Sequence, residues 1–299
     1  MPFFFMDIIR SRQNPRIKAL RKERRLKKSS QRIFLEGPRQ VDVAVSSSII
    51  GPESRAVLYV EEGLLDSDFV QKILAALVAV AAEVIIISEE VSELIASTSS
   101  PQGLYLELQR PSSPKLSLSS LLRPGRFYLG LDRIQDPGNL GTILRSAKAF
   151  GVDAVFLSEQ SCSCFDEKVL RASIAAVLNL NLYENTDLEC LVKQMRLEDQ
   201  DCDSLRNNPN FVESPALKQD SLIPATVFAL DLVGSNLRTF NRDLINQQAN
   251  LLLIGSEGQG LTPKLKQLAE RSLRIEMPGG FESLNVAVAT SIALFALRG

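Results

Sequence analysis

From Phe127 onward, short apolar runs alternate with segments of helical period, and this alternation restricts the fold more than any other feature of the chain. The runs at 127–131, 154–157, 226–232, 251–254 and 273–276 have the length and composition of buried strands. A helix is predicted from the turn Asp136-Pro-Gly-Asn139 to Phe150, and another over 168–178. Strands separated by helices align in parallel, with the helices covering the sheet. The predicted class is therefore α/β with a parallel sheet.

The first part of the chain, 1–110, reads as a second, smaller α/β domain. It has a basic helix over 17–28, strands at 32–35, 55–60, 83–88 and 104–108, and an apolar helix over 70–82. Pro and Ser cluster in 111–124, which marks a linker between the first domain and a second at 125–299. The stretch 197–224 is polar and contains Pro209, Pro215 and Pro224, as a long connection would. The last helix, 283–297, is apolar nearly all round, which predicts a chain end that is tucked in or faces a partner subunit.

Charge is unevenly spread. Residues 1–40 carry 12 Lys and Arg against 3 Asp and Glu, whereas the rest of the chain carries 22 against 32. Arg21, Lys22, Arg24, Arg25, Lys27 and Lys28 form the densest block, an electrostatic footprint suited to nucleic acid. The chain has no histidine, which removes imidazole bases and His-containing zinc sites. The four cysteines lack metal-site spacing and are too few for a disulfide framework, so no metal is expected. The longest apolar run, 73–82, is half of the about twenty residues a membrane span needs. These features suggest a cytoplasmic setting, or an organellar matrix if the basic start is a targeting segment.

Three blocks carry chemistry. In the first, Asp136-Pro-Gly-Asn139-Leu-Gly-Thr-Ile-Leu-Arg145, Asn139 is placed to cap a helix. Leu140, Ile143, Leu144, Ala147 and Phe150 form its buried stripe, and Arg145 points away from them. The second, Ile254-Gly255-Ser-Glu257-Gly-Gln-Gly260-Leu, follows a strand and has three glycines that let backbone approach a ligand. Its spacing fits neither a P-loop nor a dinucleotide fingerprint. In the third, Met277-Pro-Gly-Gly-Phe-Glu-Ser283-Leu-Asn285-Val-Ala287, Ser283 is a natural helix cap. Asn285 then falls in an apolar first turn, where a buried amide needs partners.

In this order and spacing, the three blocks closely resemble the motifs of the SpoU (TrmH-like) RNA 2′-O-ribose methyltransferases of the SPOUT superfamily. The first domain resembles the small RNA-binding domain that often precedes them, through Ser11-Arg-Gln-Asn-Pro-Arg-Ile-Lys, Phe34-Leu-Glu-Gly-Pro and Ser99-Ser-Pro-Gln-Gly103. The resemblance implies a trefoil-knotted methyltransferase domain that is homodimeric through its C-terminal part. It implies S-adenosylmethionine as cofactor, bound at Gly255, Ile275 and Leu284. It assigns catalytic and substrate roles to Asn139, Arg145, Glu257, Ser283 and Asn285. Arg145 is the family's proposed activator of the ribose hydroxyl. A guanidinium with a pKa above about 12 suits a clamp on phosphate and nascent alkoxide better than a base. Glu257 would orient Arg145 or accept a proton. The implied substrate is ribosomal RNA, with transfer RNA as the alternative enzyme reading and a non-catalytic RNA-binding protein as the alternative of another class. The sequence departs from the family pattern at Glu276 (usually Pro), Ala287 (usually Ser) and Ala175 (commonly Gly).

Overall fold

The computed structural model describes residues 8–25, 30–47, 49–198, 210–212, 222–280 and 282–299. By internal contacts it divides into two compact units, residues 1–112 with 165–179, and residues 113–164 with 180–299. The segment 165–179, read from the sequence as part of the second domain, thus groups with the first unit.

The first unit opens with α1 (Pro15–Arg24), whose N-cap Asn14 accepts a hydrogen bond from the Arg16 amide at 2.9 Å, with Pro15 in the first turn. The helix ends at Arg24 with Arg25 as its C-cap, short of the expected end at 28, and residues 26–28 lie outside the described residues. Then follow β1 (Arg32–Glu36), α2 (Pro38–Val45), β2 (Val57–Glu61), α3 (Asp68–Ala79), β3 (Glu83–Ile87), α4 (Glu89–Ile95) and β4 (Leu104–Gln109). The sheet order is β1-β4-β2-β3. β4 runs antiparallel to β1 and β2, while β2 and β3 are parallel and joined by α3. α3 buries Val70, Ile73, Leu74 and Leu77, the i, i+3, i+4, i+7 stripe of an amphipathic helix.

One buried carboxylate joins the end of β1 to the loop before β4. Glu36, at the end of β1, accepts hydrogen bonds from the amides and hydroxyls of both Ser97 and Thr98. Burial pushes its pKa up, but these four donors outweigh burial and hold it below the usual carboxylate range. Glu36 therefore ties β1 to the loop that leads through Gln102 and Gly103 into β4.

The second unit contains α5 (Leu118–Leu121), β5 (Phe127–Leu131), α6 (Pro137–Ala149) and β6 (Ala154–Leu157). After α7 (Glu167–Ala172), which belongs to the first unit, it resumes with β7 (Leu182–Tyr183), α8 (Leu188–Met195) and β8 (Thr226–Asn236). It closes with α9 (Asp243–Gln247), β9 (Asn250–Ile254), α10 (Pro263–Leu268), β10 (Arg271–Arg274) and α11 (Val286–Arg298). Six strands form an all-parallel sheet in the order β10-β8-β9-β5-β6-β7. The parallel sheet expected from the alternating pattern is present.

Several boundaries differ from the sequence-based expectation for physical reasons. Part of the stretch read as a linker is built into the second unit: Ser117 caps α5, and Leu121 and Leu122 are buried in that unit's core. The helix expected over 168–178 stops at Ala172, because Ile174 and Ala175 take positive φ (52° and 55°), which no right-handed helix accommodates. Ala175 stands where the family commonly has glycine, and its backbone adopts the conformation glycine favours. β10 pairs with β8 in two patches, 271–272 with 228–229 and 273–274 with 235–236, so residues 230–234 loop out between them. Cys190 in α8 is buried and disulfide-bonded, whereas Cys162 and Cys164 are not part of a disulfide. Among the described residues, no helix is long and apolar enough to cross a membrane.

Candidate active site

The three sequence blocks come together at one edge of the second unit, and the capping pattern decides how. Asp136, not Asn139, caps α6: its Oδ1 accepts the Asn139 amide at 2.8 Å. Asn139 sits inside the first turn, so its side chain is free for other work. In the same way Asn285, not Ser283, caps α11, its Oδ1 accepting the amides of Ala287 (2.9 Å) and Val288 (3.3 Å). Asn285 is exposed rather than buried in an apolar turn, as the sequence had suggested.

The two amides and one carboxylate then form a closed clasp. Asn285 Nδ2 donates to Asn139 Oδ1 at 2.9 Å and to Glu257 Oε1 at 3.1 Å, and Asn139 Nδ2 donates to the same Glu257 oxygen. Each bond to the ionised carboxylate is of the stronger, charge-assisted kind. One residue from each block is thereby fixed to the other two. Glu257 Oε2 takes no hydrogen bond among the described residues, which leaves one oxygen to accept a proton. Of the two roles expected for Glu257, orienting Arg145 or accepting a proton, the first has no contact behind it among the described residues, where the hydrogen-bond partners of Glu257 are Asn139 and Asn285.

Beside the clasp lies a cavity of about 300 Å³. Gly255, Ile275 and Leu284, the three positions expected to hold the cofactor, all line it, as do Ser283 and Glu257. Ser283 thus borders the cavity and is not a member of the clasp. Gly255 ends β9, where the chain folds back: Ser256 and Gly260 exchange backbone hydrogen bonds of 3.1 and 2.9 Å. A Cβ on Gly255 would run into the backbone of Gly260 and Leu261. The glycine is therefore required by close backbone approach, and the backbone it frees forms the cavity wall.

Arg145 is exposed on α6 and makes no hydrogen bond or ion pair among the described residues. It stands six residues after Asn139, about 120° around the helix at 100° per residue, and so leaves α6 from a different face than Asn139 does. The buried stripe of α6 is as expected at Leu140, Ile143, Leu144 and Ala147.

The basic block divides in the same way. Arg21, Lys22 and Arg25 are exposed without ion pairs among the described residues, and with Lys18 they form an i, i+3, i+4, i+7 stripe on α1. Arg24 falls beside Leu20 on the inward side. Its guanidinium lies 4.0 Å from the Phe34 ring centroid and pairs bidentately with Glu167 at 2.6 Å. Arg24 is structural, not an exposed nucleic-acid contact. Lys27 and Lys28 lie outside the described residues.

Sequence reasoning missed Asp132 and Arg133, at the C-terminal end of β5. Asp132 is buried and accepts the Thr262 amide at 3.0 Å. Arg133, with φ of 59°, donates to Gln259 Oε1 at 2.7 Å and to the Gly260 carbonyl at 3.1 Å. The pair braces the glycine loop from below. The available signal was two adjacent charges at the carboxyl end of an apolar parallel strand, where α/β sites gather. One of the departures from the family pattern is also explained. Glu276 accepts a hydrogen bond from Asn236 Nδ2 at 2.8 Å, which ties the chain after β10 to the end of β8. Ala287 is buried, and its carbonyl accepts the Ser291 hydroxyl at 2.7 Å; nothing in the structure explains why alanine stands there in place of serine.

With this geometry established, comparison places the chain. Residues 126–295 match the model of the SpoU rRNA Methylase family. The chain belongs to that family. Residues 14–105 match the MRM3-like substrate binding domain. Among curated SpoU relatives, the chain is 26% identical to the 23S rRNA (guanosine(2553)-2′-O)-methyltransferase of Bacillus subtilis, over 98% of this chain and 100% of that one. It is 28% identical to the mitochondrial rRNA methyltransferase 3A of Danio rerio, over 73% of this chain and 54% of that one. An rRNA methyltransferase from Sinorhizobium meliloti, solved alone and with AdoMet bound, shares the fold with a TM-score of 0.73 at 24% identity, over 98% of this chain and 97% of that one.

Proposed function

We propose that this protein transfers a methyl group from S-adenosylmethionine to a ribose 2′-hydroxyl of ribosomal RNA. The observation that carries the reading is the Asn139–Glu257–Asn285 clasp at the rim of the cavity lined by Gly255, Ile275 and Leu284. The cavity suits the cofactor: its wall is backbone kept bare by Gly255, and Ile275, Met277 and Leu284 offer apolar surface for a nucleoside. When bound there, the cofactor supplies the electrophilic methyl on its own leaving group. The residues of the chain have three tasks. The clasp fixes the three motif loops so that a hydroxyl can be held in line, the positioning that dominates reactions of this kind. Glu257 Oε2 is the group suited to take the hydroxyl proton. Arg145, permanently charged and without an ion pair among the described residues, grips the neighbouring phosphate and stabilises the alkoxide as it forms. The stripe of Lys18, Arg21, Lys22 and Arg25 adds RNA affinity through the phosphates. Ribosomal RNA is preferred to transfer RNA because the Bacillus subtilis relative, matched over 98% of this chain, is by name a 23S rRNA methyltransferase. Calorimetric titration with S-adenosylmethionine tests the cofactor reading. Binding is expected, and no heat of binding would leave only a non-catalytic RNA-binding protein of this fold.

The same reading includes a homodimer and a trefoil knot in the second unit. The dimer is supported by α11, which buries Ala287, Thr290, Ala293, Leu294 and Leu297 but exposes Val288, Ile292 and Phe295 at i, i+4, i+7. Three large apolar side chains in one exposed row mark a partner-binding face. The knot is supported by the return of α11 onto α6, where Ser146 and Ser291 hydroxyls bond at 2.7 Å and Phe150 meets Phe295 edge-on. Phe295→Asp is expected to convert a dimer to a folded monomer in sedimentation velocity. An unchanged dimer would remove α11 from the interface.

A further inference from the structure

A second charged pair lines the cofactor cavity and has no part in the clasp. Asp231 belongs to the stretch of β8 that loops out where β8 and β10 change register, and Lys266 lies on α10. Lys266 Nζ and Asp231 Oδ2 are 2.7 Å apart, and both residues line the cavity. Among the described lining residues, Lys266 is the single cation. The other lining carboxylate, Glu257, is committed to Asn139 and Asn285. Asp231 is well placed to stay put, because its Oδ1 accepts the Leu232 amide at 2.7 Å. Lys266 is more exposed than Asp231, with 42% of its side chain accessible against 20%, and it is the flexible member of the pair. Beside it, Gly260 contributes no side chain, so the ammonium has room: it lies 4.0 Å from where a Cβ on Gly260 would be.

An ion pair this exposed contributes little by itself and costs little to open. What it offers is a positive and a negative group, side by side, on a cavity wall whose other charged side chain, Glu257, is held in the clasp. A ligand carrying a carboxylate and an ammonium on one carbon can engage both. We infer that Lys266 and Asp231 form the subsite for the zwitterionic α-amino-acid end of the cofactor, Lys266 binding its carboxylate and Asp231 its ammonium, with the pair closed on itself when the site is empty. This rests on the cofactor reading given above and adds the residues that recognise one end of the molecule. The subsite also predicts discrimination against nucleosides that lack the amino acid.

The test uses the full-length protein and two probes, S-adenosylmethionine and 5′-methylthioadenosine, which keeps the nucleoside and sulfur but has no amino-acid end. Binding is measured by calorimetry on wild type, Lys266→Met and Lys266→Arg. Lys266→Met is expected to weaken S-adenosylmethionine binding about tenfold while leaving methylthioadenosine binding unchanged, since one charge-assisted contact is lost. Lys266→Arg is expected to retain most of the affinity. If Lys266→Met weakens both probes equally, Lys266 only shapes the cavity and the subsite is overturned. If it weakens neither, the subsite is likewise overturned. If wild type binds neither probe, the cofactor reading itself fails and takes the subsite with it.

Discussion

Gly255→Ala is expected to weaken S-adenosylmethionine binding about a hundredfold, whereas Gly258→Ala, three residues on in the same loop, is expected to leave it intact. The difference follows from space, not from glycine content. A Cβ on Gly255 meets main-chain atoms of Gly260 and Leu261, and main chain held by the Ser256–Gly260 hydrogen bonds cannot step aside as a side-chain tip can. A Cβ on Gly258 meets nothing within 4 Å. Gly260→Ala should fall between them, because φ of 64° is a strained value for alanine, with a cost of about 1–2 kcal/mol. Overpacking of the Gly255 kind costs about 1–3 kcal/mol, and here the loop that must move is the cavity wall, so the cost falls on binding as well as stability. A loss of about a hundredfold in affinity corresponds to about 2.7 kcal/mol, within that range. Calorimetry, with circular dichroism to show that the fold persists, measures the series. Equal affinities for Gly255→Ala and wild type would show that the glycine loop is not the cofactor wall.

Arg145 gives the opposite profile. Arg145→Ala and Arg145→Lys are each expected to lower methyl transfer by about 10²–10³-fold, the scale of losing one preorganised group that stabilises developing charge. Neither is expected to alter stability or cofactor binding. Arg145 is exposed, pairs with nothing among the described residues and does not line the cofactor cavity, and alanine is the better helix former at an interior position of α6. Lysine keeps the charge but not the planar fork that grips phosphate with two parallel bonds. Single-turnover methylation, thermal melts and cofactor titration separate the three quantities. Near-full activity in Arg145→Lys would exclude both a clamp and a base at this position.

The parallel sheet was legible because its central strands β5, β6 and β9 are buried on both faces, so each reads as a short apolar run whatever its neighbours do. The site was legible as three blocks but not as a clasp. Capping explains why. Asp136 and Asn139 are both competent caps, and so are Ser283 and Asn285; the sequence offers no means to choose within either pair. The choice matters, because the residue that does not cap α6 is the one free to reach Glu257. Arg24 was misplaced for a similar reason. A run of six basic residues looks uniform in one dimension, yet one turn of helix after Leu20 is the inward side, where Phe34 and Glu167 wait. Asp132 and Arg133 escaped notice because their work is on a loop more than 120 residues away in the chain.

The central claim concerns where the methyl group goes. Incubation of the protein with methyl-labelled S-adenosylmethionine and unmodified ribosomal RNA, followed by complete digestion to nucleosides, reads that destination directly. Label confined to a 2′-O-methylnucleoside is the predicted result. Label on a base would contradict it, as would an absence of label from RNA that the protein demonstrably binds.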